Sequence, residues 1–413
     1  MIIPDSLKFT GKDKTITGSL KAQLLETLKK KLNINKSMLS LKKNFGASVP
    51  SIFVGSYGYP DVRAGFLGAK EYENNDDPLL WSSKGEELYN IPKIIGLRSS
   101  LINSYSVLGV KSVSSQSSEN IRDISLSNQP VDSEVFLNKT LKFDFSVSSD
   151  RLPHGPSGEL KKFSLSENPK IPKIVDKVSS DIDLKANTAI SMLHSKGIDE
   201  HYISKILSGG NIGLSKNRKM VPTKWSITAT DDSLGKFIIN NKIIFNREVE
   251  FSSYFGGYLG NYYLILMFPG PWRFELFETY VGAGLKNPDI FESATDYEGS
   301  FGRKNYAADT VGGYYASRLA ILEHFDKTKR RGSILALRFI TDAYWAPLGV
   351  WVVREAVRNA LNSKRIEFSD ENRMLKYGSL LLKKRYNLNL DKLYAQSKLI
   401  KEFKAQNTLN SYF

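Results

Sequence analysis

The spacing of apolar residues changes period several times along the chain and predicts both helices and strands. Apolar side chains recur at every third or fourth position, as in helices, over residues 20–32, 173–196, 313–327 and 375–404. Short alternating or continuous apolar runs, typical of strands, occupy residues 51–55, 141–147, 225–230, 237–245, 258–268 and 334–340. Because the two patterns do not alternate regularly, they predict an α+β fold: a large mixed core with a central β-rich region and C-terminal helices.

Three regions of the chain differ in residue composition and apolar pattern, and these differences predict the domain organisation. We expect a basic N-terminal helical extension at residues 1–45, the α+β core at 46–395, and a helix end followed by a binding tail at 396–413. The lysine-rich helix at 20–32 is interpreted either as a solvated helix docked on the core or as an arm that contacts DNA. Residues 112–133, rich in Ser, Asn and Gln, predict an exposed connection or a loosely packed insertion.

Composition narrows the classes of partner. The 413 residues include 58 Lys and Arg against 43 Asp and Glu, a formal net charge of +15 that favours DNA, RNA or anionic lipid. The absence of cysteine excludes disulfides, thiol nucleophiles and zinc sites that need a thiolate. No apolar stretch approaches the roughly 20 residues of a membrane helix, and no signal-peptide pattern is present. We therefore expect a soluble cytoplasmic protein, associated with the nucleoid and not with a membrane.

The strongest local pattern is the C-terminal sequence QNTLNSYF. Gln406, Leu409, Tyr412 and Phe413 fit the spacing Gln-x-x-aliphatic-x-x-aromatic-aromatic of a clamp-binding (PIP) motif. In one helical turn residues 409 and 412 lie on one side, and Phe413 completes a three-pronged apolar plug. The spacing predicts modest, reversible binding to the sliding clamp PCNA, with Gln406 as a polar hook. The alternative is that the terminal aromatic residues fold back onto the protein's own core.

Several segments of the body resemble the archaeal Nre family of DNA repair proteins. In chain order they are PSIFVG at 50–55, YGYP at 57–60, LRSSL at 97–101, HGPSG at 154–158, ENPKIP at 167–172 and VPTKWSITA at 221–229. The resemblance implies a protein that acts in DNA-damage repair and is recruited by the sliding clamp. Many family members carry a cysteine-rich, zinc-binding module near the N-terminus. This chain departs from them there, because it has no cysteine and carries the lysine-rich helix instead.

Two segments are candidates for catalytic chemistry. Asp231 and Asp232 follow the strand predicted at 225–230, where adjacent carboxylates suit Mg²⁺ in a nuclease-type site. A third acid would be needed, and the possible partners are Asp181, Asp183, Glu275 and Glu278. The loop that begins at His154 offers backbone amides to a phosphate, as in a nucleotide-dependent modification of DNA. The plain alternatives are a helix cap and a turn, so no cofactor is predicted, Mg²⁺ enters only with the nuclease hypothesis, and enzymatic activity stays open.

Aromatic residues stack on bases and cations hold phosphates, so mixtures of the two are the candidates for DNA contact. They are Tyr57, Tyr59, Arg63, Arg318, Lys329, Arg330 and Arg331. The first hypothesis is a clamp-recruited repair factor whose basic body engages DNA. The alternatives are a DNA-processing enzyme and an adaptor that does not touch DNA, for which the positive charge would serve only solubility.

Overall fold

The computed structural model describes residues 43–69, 90–111, 115–141, 155–282 and 292–410, without the side chains of 406–410. These residues form two compact units that divide between Leu234 and Gly235. We call residues 43–234 the barrel unit and residues 235–410 the sheet unit. The division falls inside the span 46–395 that is predicted from the sequence as one core. The predicted basic helix at 20–32 lies outside the described residues.

Five strands of the barrel unit close into a barrel. They are β1 (Asn44–Val54), β2 (Asp61–Ala69), β3 (Ile102–Gly109), β4 (Val131–Leu137) and β5 (Ser157–Leu165). The order around the barrel is β1-β2-β3-β5-β4, with β3 and β5 parallel and the other neighbours antiparallel. A helix, α2 (Gln116–Leu126), connects β3 to β4. This is the connectivity of the oligonucleotide- and oligosaccharide-binding (OB) barrel.

Strand β1 pairs with two neighbouring strands, and the alternation of its inward and outward side chains is interrupted in the middle. Its first half pairs with β4 and its second half with β2, and the register shifts between Ser48 and Ser51. Val49 faces the barrel core before the shift, and Ile52 and Val54 face it after the shift. An extra residue of this kind bends a strand and increases its twist, which lets one strand close a small barrel.

Helix α2 corrects the prediction for residues 112–133, because one side of this segment is buried against the barrel core where it is described, while Gln116, Glu119 and Asp123 on its other side are exposed. The Ser115 side chain caps α2 by accepting from the Ser118 amide, and Ile121 and Ile124 are fully buried in the barrel core. The small polar residues are buried too, because each finds a backbone partner: Asn120 donates to the Phe163 carbonyl and Ser125 to the Arg122 carbonyl. Polar composition therefore did not mean exposure here.

The remaining helices of the barrel unit differ in part from the predictions. They are α1 (Ile91–Ser100), α3 (Lys173–Ser180), α4 (Ala186–Ser195), α5 (Glu200–Ser208) and α6 (Thr223–Ile238), the last of which continues past Leu234, where the barrel unit ends. The single helix predicted over 173–196 is two helices, α3 and α4. The strands predicted at 225–230 and 237–245 are wrong, because those residues form α6 and the π-helix Ile239–Ile243. Buried Ser226, Thr230 and Leu234 recur every fourth residue, so burial at helical spacing overrides the β-branched composition.

The sheet unit is built on a six-stranded sheet of order β10-β9-β12-β8-β7-β13. Its strands are β7 (Ser252–Tyr258), β8 (Asn261–Phe268), β9 (Arg273–Tyr280), β10 (Ser293–Glu298), β12 (Ser333–Ile340) and β13 (Ile366–Glu367). The short strands β6 (Arg247–Glu248) and β11 (Arg330–Arg331) pair separately. The predicted strand at 334–340 is confirmed as β12, and the run at 258–268 covers the end of β7 and all of β8.

Helices cover both faces of this sheet. They are α7 (Val311–Thr328), α8 (Trp351–Leu361), α9 (Glu371–Tyr386), α10 (Asp391–Gln396) and α11 (Lys398–Asn410). On one face, Leu266 and Leu337 of the central strands pack in one apolar cluster with Leu382, Leu393 and Phe403 of α9 to α11. The other face, toward α7 and α8, holds buried charges.

The predicted helix at 313–327 is confirmed as α7, whereas the helical pattern at 375–404 is divided among three helices. The first of these helices, α9, ends at Tyr386, and α10 ends at Gln396, just before α11 begins at Lys398. The helical spacing of apolar residues therefore continues across two interruptions of the helix. The strand predicted at 141–147 lies outside the described residues from position 142 onward. The α+β class is confirmed. None of the helices in the described ranges is long and apolar enough to cross a membrane.

Candidate nucleic-acid interface

The loop between β1 and β2 presents two tyrosines to solvent. Tyr57 is 95% exposed and Tyr59 is 40% exposed. Gly58 has a φ of 80°, a conformation that favours glycine, and its carbonyl accepts from the Asp61 amide at 3.0 Å. The Gly55 amide donates to the Arg63 carbonyl at 2.8 Å and closes the base of the loop. A tight turn therefore holds the aromatic side chains away from the barrel core.

A second segment of the barrel unit, residues 219–225, lies beside this loop. The Met220 amide donates to the Val110 carbonyl at 2.9 Å, and Thr223 Oγ1 accepts from the Val54 amide at 3.0 Å. Lys219 Nζ donates to the Tyr59 hydroxyl at 3.0 Å. The rings of Tyr59 and Trp225 have centroids 5.3 Å apart and planes tilted by 55°, and Trp225 is 44% exposed. Two separate segments thus form one exposed aromatic pair with an ammonium group on it.

Arg63 extends this surface along β2. Its guanidinium carbon lies 4.7 Å from the centroid of the Tyr105 ring of β3, within cation–π range. Among the described residues neither Arg63 nor Lys219 forms an ion pair, so no carboxylate there neutralises the two charges. Exposed rings beside cations are the arrangement that binds a base by stacking and a phosphate by charge.

The other predicted DNA contacts lie in the sheet unit and are placed differently. Arg318 is only 2% exposed, and its Nε donates to Glu298 Oε1 at 2.8 Å, so its guanidinium is not on the surface. This corrects the expectation from the sequence. Ion pairs join the three following cations to acids: Lys329 to Asp326, Arg330 to Glu250 and Arg331 to Glu248. These cations are exposed in part, but local carboxylates already neutralise them.

The acidic pair does not stand at the end of a strand. Asp231 and Asp232 are consecutive residues of α6, and helical neighbours point about 100° apart. Asp231 is 1% exposed. Within the ranges that the structure describes, no group of three or more His, Asp or Glu side chains is arranged to hold a metal ion. The nuclease-type Mg²⁺ site therefore gains no support from the geometry.

The proposed third acids do not come together either. Glu275 and Glu278 are three residues apart on β9 and lie on opposite faces of the sheet. Glu275 accepts from the Ser397 hydroxyl and from the amides of Lys398 and Leu399 at the start of α11, and burial raises its pKa. Asp181 and Asp183 are exposed at the end of α3.

The proposed phosphate loop is only partly described. His154 lies outside the described residues. Gly158 is part of β5, and the Pro156 carbonyl accepts from the Asn103 amide of β3 at 2.8 Å. Residues 157 and 158 are therefore strand and not loop.

The clamp motif is also described in part. The backbone of Gln406 and Leu409 belongs to α11, whereas their side chains and all of Tyr412 and Phe413 lie outside the described parts. Before the motif, Leu399, Ile400 and Phe403 are buried in the apolar cluster of the sheet unit. The clamp motif thus comes directly after helical turns that are fixed in the core.

Lys219, Trp225 and Tyr105 belong to the candidate interface but were not predicted from the sequence as DNA contacts. The family resemblance could have indicated two of them, because Trp225 lies in the VPTKWSITA segment and Lys219 lies just before that segment. The hydrogen bond from Val54 to Thr223 joins that segment to PSIFVG, so the two segments with family resemblance meet in space. Tyr105 follows the alternation of β3, but only strand pairing brings it to Arg63.

Comparison with known proteins identifies the family. The family models described as "Archaeal Nre, N-terminal" and "Archaeal Nre, C-terminal" match residues 16–285 and 298–412. The chain is 34% identical to the DNA repair protein NreA of Haloferax volcanii over 333 residues, 78% of each chain. It is 34% identical to NreA of Archaeoglobus fulgidus over 86% of this chain and 88% of the relative. It is 32% identical to the DNA repair protein NreB of the same organism over 92% of this chain and 93% of the relative. No solved structure matches it. The chain belongs to the archaeal Nre family of DNA repair proteins.

Proposed function

We propose that this protein is a DNA repair factor that the sliding clamp PCNA recruits through the C-terminal peptide and whose barrel unit contacts DNA. The observation that carries the proposal is the spacing of Gln406, Leu409, Tyr412 and Phe413 in a chain whose relatives are named DNA repair proteins. Such a factor would work in the cytoplasm, where the archaeal nucleoid lies.

The start of α11 supports a recruitment role for the C-terminal peptide. Glu275 accepts from two amides of the first turn, and Phe403 packs on Phe251 and Phe268 with ring centroids 5.7 and 5.3 Å away. The helix from which the C-terminal peptide continues is therefore fixed to the sheet unit over its first turns. Short apolar plugs of this kind bind a pocket with modest affinity, which allows exchange on the clamp.

Contact with DNA is supported by the interface on the barrel unit. Tyr59, Trp225 and Lys219 form its rim, and Arg63 and Tyr105 continue it along the strands. With a formal net charge of +15, the whole chain is attracted to a polyanion. DNA affinity that falls steeply as the salt concentration rises is expected for such an interface.

Calorimetric titration of an archaeal PCNA with the full-length protein tests recruitment. Replacing both Tyr412 and Phe413 by Ala removes two of the three apolar groups, and we expect clamp binding to be lost. The matched control replaces Thr408 and Asn410 by Ala, which changes the same segment at positions outside the motif. Binding by the control but not by the first variant supports the proposal. Unchanged affinity of the first variant would contradict it.

A further inference from the structure

Three neighbouring strands of the barrel unit align an aromatic residue, a glycine and a second aromatic residue. Phe53 of β1 pairs with Gly65 of β2, and Gly65 pairs with Tyr105 of β3. The alternate residues Val54 and Ala64 face the barrel core, so Phe53 and Tyr105 lie on the outer face. Both aromatic side chains are partly exposed.

Gly65 leaves the surface between the two aromatic residues free of a side chain. A Cβ atom at this position would lie 1.9 Å from the Ser104 carbonyl oxygen, so only glycine fits between β2 and β3 here. The outer face therefore has two ring-bearing positions with no side chain between them, and Gly65 itself is buried. Next to them, Arg63 pairs with Val107, which is 62% exposed.

The rim aromatic pair continues this face at its open end. The Val110 amide donates to the Pro60 carbonyl, which keeps the loop with Tyr59 beside the end of β3. The Met220 amide donates to the Val110 carbonyl and brings the segment with Lys219 and Trp225 to the same edge. The rings of Phe53, Tyr105, Tyr59 and Trp225 thus belong to one side and one end of the barrel.

Charge along this track is uneven. Arg63 and Lys219 lie on the β2 side and at the rim, each against a tyrosine. On the other side of Tyr105, the exposed carboxylate residue Glu159 of β5 pairs with it. An anionic chain is therefore attracted to the line from the rim to Arg63 and repelled by Glu159, whereas Lys161 and Lys162 further along β5 are exposed cations.

We propose that this track, from Trp225 and Tyr59 to Tyr105 and Phe53, binds single-stranded DNA by stacking unpaired bases on the aromatic rings. The proposal rests on the proposed function, because it specifies which form of DNA the barrel unit contacts. Barrels of this connectivity bind oligonucleotides or oligosaccharides on the face of their second and third strands. The ligand is assigned by the rings and cations and not by the fold.

The chemistry favours a single strand over a duplex. In duplex DNA the faces of the bases are stacked on one another, so an aromatic side chain reaches them only after unstacking. A single strand offers a free base face to each ring and a phosphate to each neighbouring cation. The track has this composition, whereas duplex readout uses an element that enters a groove.

Fluorescence anisotropy with the full-length protein tests the assignment. The probes are a labelled single strand of about 15 nucleotides, within the site sizes of OB barrels, its duplex, and the RNA of the same sequence. Tyr105→Leu keeps apolar bulk without a flat ring, and Trp225→Ala removes a ring at the rim. Tyr105→Phe keeps the ring, and Phe245→Ala removes an aromatic side chain of the sheet unit that is 95% exposed.

We expect the wild-type protein to bind the single strand about tenfold or more tightly than the duplex. Tyr105→Leu and Trp225→Ala should each weaken single-strand binding by about tenfold and leave duplex binding unchanged. Tyr105→Phe and Phe245→Ala should bind like the wild type. Measuring two ring variants at separate places keeps the test valid if one of them fails to fold.

Three outcomes would overturn the inference. Duplex binding as tight as single-strand binding would refute it while leaving the proposed function intact. Wild-type affinity in both Tyr105→Leu and Trp225→Ala would refute the stacking track, and tighter binding of the RNA would refute the assignment to DNA. If no form of DNA binds, the DNA contact in the proposed function fails as well, whereas recruitment by the clamp is tested separately.

Discussion

Arg63 in the barrel unit and Arg338 in the sheet unit each stand on a β-strand next to a strand that carries a tyrosine. Arg63 is exposed, and its guanidinium lies over the Tyr105 ring. Arg338 is 1% exposed and donates to Glu278 on one side and to Asn261 on the other. The same side chain is thus available to a ligand in one unit and fully engaged within the protein in the other.

The difference between these arginines extends to their surroundings. Arg318 of α7 is paired with Glu298 below the surface, and Trp272 donates to the same carboxylate. Burial of such charges requires partners, because an unpaired ion loses its hydration without compensation. A positive net charge therefore does not measure the charge that a polyanion meets. Partly or fully exposed cations that form no ion pair among the described residues, such as Arg63 and Lys219, are the ones accessible to a polyanion at close range.

Breaking the buried pair in the sheet unit is the largest expected effect. Glu278→Ala leaves Arg338 buried without its carboxylate, and we expect the free energy of unfolding to fall by about 3 to 5 kcal/mol. Urea unfolding followed by tryptophan fluorescence measures it. Replacing both residues by Met should cost less than the sum of the single changes, because no lone charge remains. A loss below about 1 kcal/mol in Glu278→Ala would mean that the pair is not desolvated as described.

The sheet unit should also respond to acid through His324 of α7. Burial, and then the charges of Lys327 and Arg365, lowers the pKa of His324 from 6.5 to about 4. The neutral form is preferred in the folded state, so its stabilising effect is complete above pH 6.5 and is lost as the pH falls toward 4. We expect the free energy of unfolding to fall by up to about 3 kcal/mol between pH 6.5 and pH 4.

Urea unfolding at several pH values between 7 and 4, compared with His324→Gln, isolates this effect. The variant has no imidazole to titrate, whereas Tyr254, Lys327 and Arg365 remain around the site. The difference in stability between wild type and variant should shrink as the solution becomes more acidic. A constant difference would show that His324 does not carry the response.

The smallest effect on stability is expected for Arg63→Ala in the barrel unit. The side chain is exposed, so the free energy of unfolding should change by no more than about 0.5 kcal/mol. DNA binding should still change, because one fewer phosphate contact lowers the slope of log affinity against log salt by about one. Titrations at a series of KCl concentrations measure this slope. An unaltered slope together with a large loss of stability would show that Arg63, like Arg338, is engaged within the protein and does not contact DNA.

Prediction from the sequence succeeded where one pattern coincided with one buried element. The continuous apolar run of β12 lies in the middle of the sheet, and α7 is a long helix buried over most of its length. Prediction failed where the residue composition of a segment suggested a different structure or exposure from the one that its buried positions have. Residues 225–230 carry β-branched side chains but are buried at helical spacing, and the serine-rich segment before β4 satisfies its polar groups internally.

The sequence by itself determined the family, the positive charge, the absence of thiol chemistry and the spacing of the C-terminal motif, because these depend only on residue identity and order. The tertiary structure decided which cations and rings face outward. Phe53, Gly65 and Tyr105 are distant in the chain, and only the hydrogen-bond register of three strands sets them side by side. Arg318 has the same chemistry as the exposed Arg63, yet it is buried and its guanidinium is paired with Glu298. For these arginine and aromatic side chains, packing between distant segments decides exposure, and the local pattern does not.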